Sequence, residues 1–151
     1  MSYINKNLMS NEKILIETEL HWIIFLWPLL ITFLIVYFMF HQHIMFILNY
    51  VAVALIIYFL GTTFTQYVTT EYVLTTSRTI MKRGWLFIRL WDMGYKNIES
   101  VQLQQSLFGR VFGYGNVIVN GIGGDSLVFS TIDGPAAFRE KLFEILEQAK
   151  K

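Results

Sequence analysis

A charge-free stretch of the chain constrains its fold more than any other feature. No Asp, Glu, Lys or Arg occurs from Leu20 to Thr70. Within this stretch, apolar and aromatic residues form two runs, at about residues 21–40 and 44–64. A helix of about 20 apolar residues crosses a bilayer core, and backbone groups in hydrocarbon must be paired within the segment. The sequence therefore predicts two transmembrane helices.

The segment between the two runs is very short. The polar residues His41-Gln42-His43 separate the two runs. Because so short a connection forces the two helices to run antiparallel, residues 21–65 are predicted to form a transmembrane hairpin. A cleaved signal peptide is the alternative for the first run. It would have a basic start, a shorter apolar core and a small-residue cleavage site. Instead, Glu17 and Glu19 precede a long run, which favours a retained anchor.

Basic residues flank the predicted hairpin on its terminal side. Lys6 and Lys13 precede the first span, whereas Arg78, Lys82, Arg83 and Arg89 follow the second, and the loop has no Lys or Arg. Because cytoplasmic flanks are enriched in Lys and Arg, both termini and the C-terminal region are predicted to be cytoplasmic.

The C-terminal region, residues 66–151, has the composition of a folded domain. It holds nine of the ten glycines, and the segment 1–20 before the hairpin is a short flank that could add one strand to it. Runs of β-branched and aromatic residues separated by Gly and polar turns predict strands with short, antiparallel connections. The predicted strands are 67–75, 78–83, 85–93, 98–103, 117–119 and 127–129.

Two segments of this domain have helical patterns. Residues 106–112 lack alternation and predict a short helical turn, which Gly113 closes. Asp133-Gly134-Pro135 supplies a capping residue and an early-turn proline, and predicts the start of a helix over 135–150. Its apolar residues share one stripe, and that face should cover the sheet. The expected domain is an antiparallel β-barrel or sheet capped by the C-terminal α-helix.

Several segments together resemble the membrane-anchored bacterial pleckstrin-homology (PH)-like domain family, in its short, single-domain form. They are Tyr72-Val73-Leu74-Thr75-Thr76-Ser77-Arg78, Arg83-Gly84, Ile98-Glu99-Ser100-Val101, the stretch from Gln105 to Gly115, and Asn11 to Leu15 followed by His21-Trp22. The stretch from Gln105 to Gly115 is the most specific. The resemblance implies a seven-stranded PH-like sheet with a C-terminal helix, no catalysis, and a place in the bacterial cytoplasmic membrane. The seventh strand could come from residues 13–20.

Motifs for chemistry are weak in this sequence. His41 and His43 lack a third and fourth metal ligand, and the chain has no cysteine. Glycines 109, 113 and 115 match no phosphate-binding fingerprint and are interpreted as turn residues. Arg110 is expected to satisfy nearby carbonyl groups. We therefore expect no enzyme, no metal and no cofactor, and the balance of twelve basic to eleven acidic residues argues against nucleic-acid binding.

The remaining candidates for a functional site are four basic residues of the C-terminal domain, Arg78, Lys82, Arg83 and Arg89. They are interpreted either as topology signals or as contacts to lipid headgroups or an acidic partner, with Lys82 and Arg83 projecting outward. Two functions remain open. The domain could be an interaction module, acting as a scaffold, assembly factor or accessory subunit for membrane proteins or by self-association. Alternatively, it could bind or sense anionic membrane lipids.

Overall fold

The computed structural model describes residues 12–41, 46–85 and 87–149 of the chain. The chain divides into two compact units. One unit is Trp22–Val68, and the other combines the segment before Trp22 with the chain from Thr69 onward.

The unit Trp22–Val68 is helical. A 3-10 turn, Trp22–Phe25, leads into helix α1, Leu26–His41, and helix α2 follows as Phe46–Thr69. Phe25 and Tyr67 bring the two ends of the unit together, with ring centroids 5.4 Å apart. Both helices are long and apolar enough to cross a membrane, and their side chains are not buried inside the protein. These features are compatible with membrane association.

Three threonines near the end of α2 form hydrogen bonds within the helix. The hydroxyls of Thr62 and Thr63 donate to the carbonyl of Phe59 at 3.0 and 2.9 Å, and that of Thr65 donates to Gly61 at 2.7 Å. Such bonds pair hydroxyl groups that would be costly if left unpaired in hydrocarbon. α2 also continues to Thr69, so the prediction that residues 67–69 begin a strand is wrong.

Within its described residues, the second unit contains seven strands in two antiparallel sheets. Their bounds are β1 Ile14–Thr18, β2 Glu71–Thr75, β3 Arg78–Arg83, β4 Arg89–Gly94, β5 Ile98–Gln104, β6 Tyr114–Gly121 and β7 Ser126–Asp133. The first sheet has the order β1-β2-β3-β4 and the second β5-β6-β7. Two helices complete the unit: α3, Leu107–Phe112, joins β5 to β6, and α4, Pro135–Ala149, follows β7.

A short bridge joins the two sheets along one edge. Leu20, just after β1, pairs with Ile132 of β7, and the backbone N–H of His21 donates to the carbonyl of Thr131 at 2.7 Å. Thr131 has a positive φ of 51°, an uncommon conformation for a β-branched residue, and its own N–H is held by Asn116 Oδ1 at 2.8 Å. The bridge makes the sheets a half-closed barrel, so the expected barrel-like arrangement is closed on this side by main-chain pairing.

Three aromatic side chains in contact cross the core, from the first sheet through the second sheet to α4. Tyr72 of the first sheet meets Phe129 of the second edge-on at 5.3 Å, and Phe129 meets Phe138 of α4 at 5.3 Å. α4 buries Phe138, Leu142, Ile145 and Leu146, the stripe predicted from the sequence. The predicted antiparallel sheet domain with a C-terminal helix packed on it is thereby confirmed.

The start of α4 and the connection between β3 and β4 both depend on residues in turns. Within the predicted start Asp133-Gly134-Pro135, Gly134, with a φ of 58°, directly precedes α4, and its carbonyl accepts from the Phe138 N–H. Trp85, Phe87 and Ile88 are not part of a strand, because the β3–β4 pairing ends at Arg83 and Arg89 and these residues lie in the hairpin loop between them. The strand predicted at 78–83 is confirmed as β3.

We predict that Phe138→Asp combined with Leu142→Asp unfolds the sheet domain and leaves the helical unit intact. Each of these buried side chains contributes roughly 1.5–3 kcal/mol through burial alone, and a buried carboxylate adds a further cost. Limited proteolysis of the detergent-solubilised chain measures the effect. Gln148→Asp, on the exposed face of the same helix, is the control. Native protease resistance in the double variant would contradict the packing role of α4.

A second prediction concerns alkaline pH. Burial raises the pKa of Tyr95 above its ordinary value of 10.0, and the Tyr95 hydroxyl donates a 2.6 Å hydrogen bond to the Thr75 carbonyl. Burial raises the pKa of Tyr72 as well. The unfolded chain loses these protons near pH 10 and the folded domain keeps them to higher pH. Their contribution is therefore fully present below that pH and is lost above it.

Tyr95→Phe should lower stability at neutral pH by about 1 kcal/mol, the value of one hydrogen bond, and should flatten the loss of stability above pH 10. Thermal unfolding of the full chain in detergent, followed across neutral and alkaline pH, measures both effects. An equally steep alkaline loss in the variant would show that Tyr95 does not carry the pH dependence.

Candidate functional site

Arg78, the first of the predicted basic residues, is engaged within the domain. Its guanidinium pairs with both carboxylate oxygens of Glu12 at 3.0 Å and with Asp92 at 2.6 Å. The Glu12 side chain is 1% exposed and also accepts from the Thr75 hydroxyl at 2.7 Å. The hydrogen bond to Glu12 raises the pKa of Arg78 above its ordinary value. Arg78 of β3 therefore links Glu12, in the segment before β1, to the first sheet through this ion pair.

Lys82 is also engaged. It is buried, and its Nζ lies 2.9 Å from Oε1 of Glu71, its cross-strand neighbour in β2. The prediction that Lys82 projects outward is wrong, because the strand alternation turns it toward Glu71. Removing one partner of a buried pair leaves the other charge uncompensated, so Lys82 is a poor choice for testing surface contacts.

Arg83 and Arg89, in contrast, are exposed and face each other across the base of the β3–β4 hairpin. Between them lie three apolar residues whose side chains are exposed: Trp85 at 69%, Phe87 at 85% and Ile88 at 44%. Gly84 makes the turn with a φ of 103°, and a Cβ there would collide with the Phe87 carbonyl. We call Arg83, Gly84, Trp85, Phe87, Ile88 and Arg89 the aromatic tip. Its aromatic side chains were missed as site residues because the sequence pattern extends a strand through them.

The register fixes which end of the sheet carries the aromatic tip. Lys82, next to the tip, pairs with Glu71, the first residue of β2. Thr18, at the end of β1, pairs with Tyr72 at the same end. The aromatic tip thus lies at the end of the first sheet where β1 leaves toward Trp22 and where β2 begins after Thr70.

α3 is a short helix held by specific backbone contacts. The Ser106 hydroxyl caps it by accepting from the Gly109 N–H at 3.0 Å, and Gly113 ends it in the left-handed conformation. The Gln105 amide donates to the carbonyls of Gly109 and Tyr114 at 3.0 and 3.1 Å. A Cβ on Gly109 would lie 2.5 Å from the Tyr114 carbonyl. The interpretation as a turn residue is confirmed for Gly113, which has a φ of 79°, whereas Gly109 and Gly115 lie where a Cβ would collide with neighbouring atoms.

The outward side chains of α3 are almost all apolar. The exposed fractions are 79% for Leu107, 72% for Phe108, 79% for Val111 and 47% for Phe112. Arg110 is exposed too, and no hydrogen bond from its guanidinium is found within the described residues, so its predicted role in satisfying carbonyls is wrong. α3 therefore presents an exposed apolar surface that carries one positive charge, that of Arg110.

α3 lies beside the point where the chain leaves the domain toward Trp22. Tyr114 follows α3 directly after Gly113, and its ring lies 5.6 Å from the ring of His21. His21 is buried, and it belongs to the unit that contains the sheets.

A groove lies between β5 and α4. It is lined by Leu103 of β5 and by residues of α4: Ala136, Arg139, Glu140, Phe143, Glu144 and Glu147. The Arg139 guanidinium stacks over the Phe143 ring at 4.7 Å, and its buried Nε has no acceptor among the described residues. β5 pairs with β6 alone in the described part of the chain. The groove thus combines an apolar floor, an acidic rim and an unsatisfied donor.

The histidines form no site in the described part of the chain. His41 stacks on Tyr37 at 5.2 Å at the end of α1, and His43 lies outside the described residues. No group of three His, Cys, Asp or Glu side chains within residues 12–41, 46–85 and 87–149 could hold a metal ion.

Comparison with known proteins agrees with the fold. A sequence profile described as "Bacterial PH domain" matches residues 20–149. Comparison with curated proteins and with solved structures gave no significant match. The matched range covers the helical unit together with β2 to β7 and α4. The chain therefore belongs to the bacterial PH domain family.

Proposed function

We propose that this protein is a membrane-tethered, non-catalytic interaction module: the helical unit anchors it in the bacterial cytoplasmic membrane, and the PH domain binds another membrane protein as a scaffold, assembly factor or accessory subunit. The groove between β5 and α4 supports this proposal best. It is open and partly apolar, and the buried Nε of Arg139 at its side has no acceptor among the described residues.

The occupant that fits this groove is an extended, basic segment of a partner protein. The lining contains three glutamates and one arginine, so the groove carries a net negative charge that complements Lys or Arg side chains. Phe143 and Leu103 offer contact to alternate apolar side chains, and a backbone carbonyl of the segment supplies the acceptor that Arg139 Nε lacks. An edge strand with neighbouring pockets is a common means of binding extended peptides.

A charge-reversal pair tests the groove. Glu140→Lys with Glu147→Lys should abolish a stoichiometric partner that co-purifies in mild detergent and that crosslinks to a photoreactive residue at position 143. Glu17→Lys with Glu99→Lys changes the net charge equally at exposed sites outside the groove and should retain the partner. Equal retention in both variants would contradict the groove. A crosslink to a second copy of the chain would replace the heterologous partner with self-association.

The tether and its orientation are tested separately. Charged residues that flank the helices lie on the terminal side, with Lys13 before α1 and Arg78 after α2. The positive-inside rule then places both termini and the PH domain in the cytoplasm. A cytoplasm-active reporter fused after Lys151 should be functional and a periplasm-active one should not. Activity of the periplasmic reporter would overturn the orientation.

Binding of anionic lipids is the second candidate function. It is supported by Arg83 and Arg89, which are exposed and adjacent across the hairpin, and which have no carboxylate within ion-pair distance in the described part of the chain. Lipid retained on an isolated chain, in place of a stoichiometric protein, would favour this function over the first.

A further inference from the structure

We propose that the aromatic tip and α3 together form one bilayer-contacting face, which inserts aromatic and aliphatic side chains into the headgroup region and fixes the orientation of the PH domain. The inference rests on the proposed membrane tether. Its occupant is the anionic leaflet from which the helices emerge.

Chain connectivity places the aromatic tip near that leaflet. α2 ends at Thr69 and β2 begins at Glu71, so a single residue separates helix from strand. Two Cα–Cα steps cover at most about 7.6 Å. Lys82 pairs with Glu71, and Arg83 lies one residue, about 3.3 Å, further along β3. The tip is therefore held at the end of the sheet from which the second apolar helix departs.

The position of α3 is related to the other connection between the sheet domain and the helices, at His21. His21 is the last residue before the 3-10 turn that begins the first apolar helix. Its backbone is fixed to Thr131 at 2.7 Å and its ring contacts Tyr114, which starts the strand after α3. Each of the two exposed apolar elements thus borders one of the two points where the chain passes between domain and helices.

The chemistry of both elements suits an interface between water and lipid. Trp and Phe are enriched at bilayer interfaces, and Arg side chains pair with headgroup phosphates. No acidic residue occurs in 83–91 or in 100–124, so the charged side chains of the two elements themselves are Arg83, Arg89 and Arg110. Both elements project outward, and neither forms a groove for a peptide. A membrane surface therefore fits them better than an extended protein segment does.

The absence of cysteine from the sequence allows a direct test with single labels. Spin labels at Phe87→Cys and Phe108→Cys report the two elements in the full chain, reconstituted in nanodiscs of phosphatidylcholine with phosphatidylglycerol. Ile122→Cys is the matched control, because this side chain is 67% exposed in the turn at the opposite end of β6. Leu55→Cys in α2 reports the tether itself.

Labels at 87 and 108 should collide with lipid-dissolved oxygen and be shielded from a water-soluble nickel complex, whereas the label at 122 should show the reverse. Water accessibility at 87 and 108 equal to that at 122 would overturn the inference. A water-accessible label at 55 would instead overturn the tether, so the two failures are distinguishable.

Charge substitutions test the headgroup component. Each of Arg83→Gln, Arg89→Gln and Arg110→Gln should shift the docked-to-undocked ratio about fivefold toward undocked in anionic nanodiscs, with a smaller shift at high salt. Lys13→Gln, Lys96→Gln and Lys141→Gln are matched controls on other surfaces and should leave the ratio unchanged. Equal shifts in both sets would reduce the effect to net charge and contradict a specific face.

Discussion

The hydrogen bond from the His21 backbone to the Thr131 carbonyl, with the neighbouring Leu20–Ile132 bridge, is the contact on which the arrangement of the domain depends. It joins two sheets that otherwise share no ladder, and it fixes the residue at which the chain leaves the domain. Thr131 adopts a positive φ to direct its carbonyl there, and Asn116 holds its N–H. A strained β-branched residue persists only where surrounding contacts determine its conformation.

The same logic explains why the basic residues behave so differently. Arg78 and Lys82 face carboxylates from distant parts of the chain, Glu12 and Glu71, and both are thereby withdrawn from the surface. Arg83 and Arg89 lie beyond the last paired residues on the hairpin and meet each other across the strands. Two like charges at this position are tolerated because both are open to solvent. They are free for an external anion, whereas the first two stabilise the fold.

Sequence periodicity could predict the parts of the fold that local physics controls. The stripe of α4, the strand at 78–83 and the capped turn at 106–112 all follow from residue spacing, glycines and caps. Residues 67–69 are Tyr-Val-Thr, a β-like composition, but they continue a long helix because the preceding turns already pair their backbone groups. The β propensity of three residues does not prevent the extension of a helix that has already formed, because each added residue gains a hydrogen bond without a new nucleation cost. The burial of Lys82 was unpredictable, since its partner lies eleven residues away on another strand.

The exposed apolar residues of the hairpin and of α3 have a composition that is typical of buried elements, so their exposure cannot be predicted from composition. Trp85, Phe87 and Ile88 have the composition of a strand, and Leu107, Phe108 and Val111 have that of a buried helix. In both places a glycine backbone, at Gly84 or at Gly109 and Gly113, holds the apolar side chains outward when their composition favours burial. A small domain gains stability by burying such residues, so exposing two groups of them beside arginines is a cost without benefit in water alone. The cost is offset if the two groups meet an apolar phase, and the chain connections at His21 and Glu71 bring both groups to the side of the domain where the apolar helices begin.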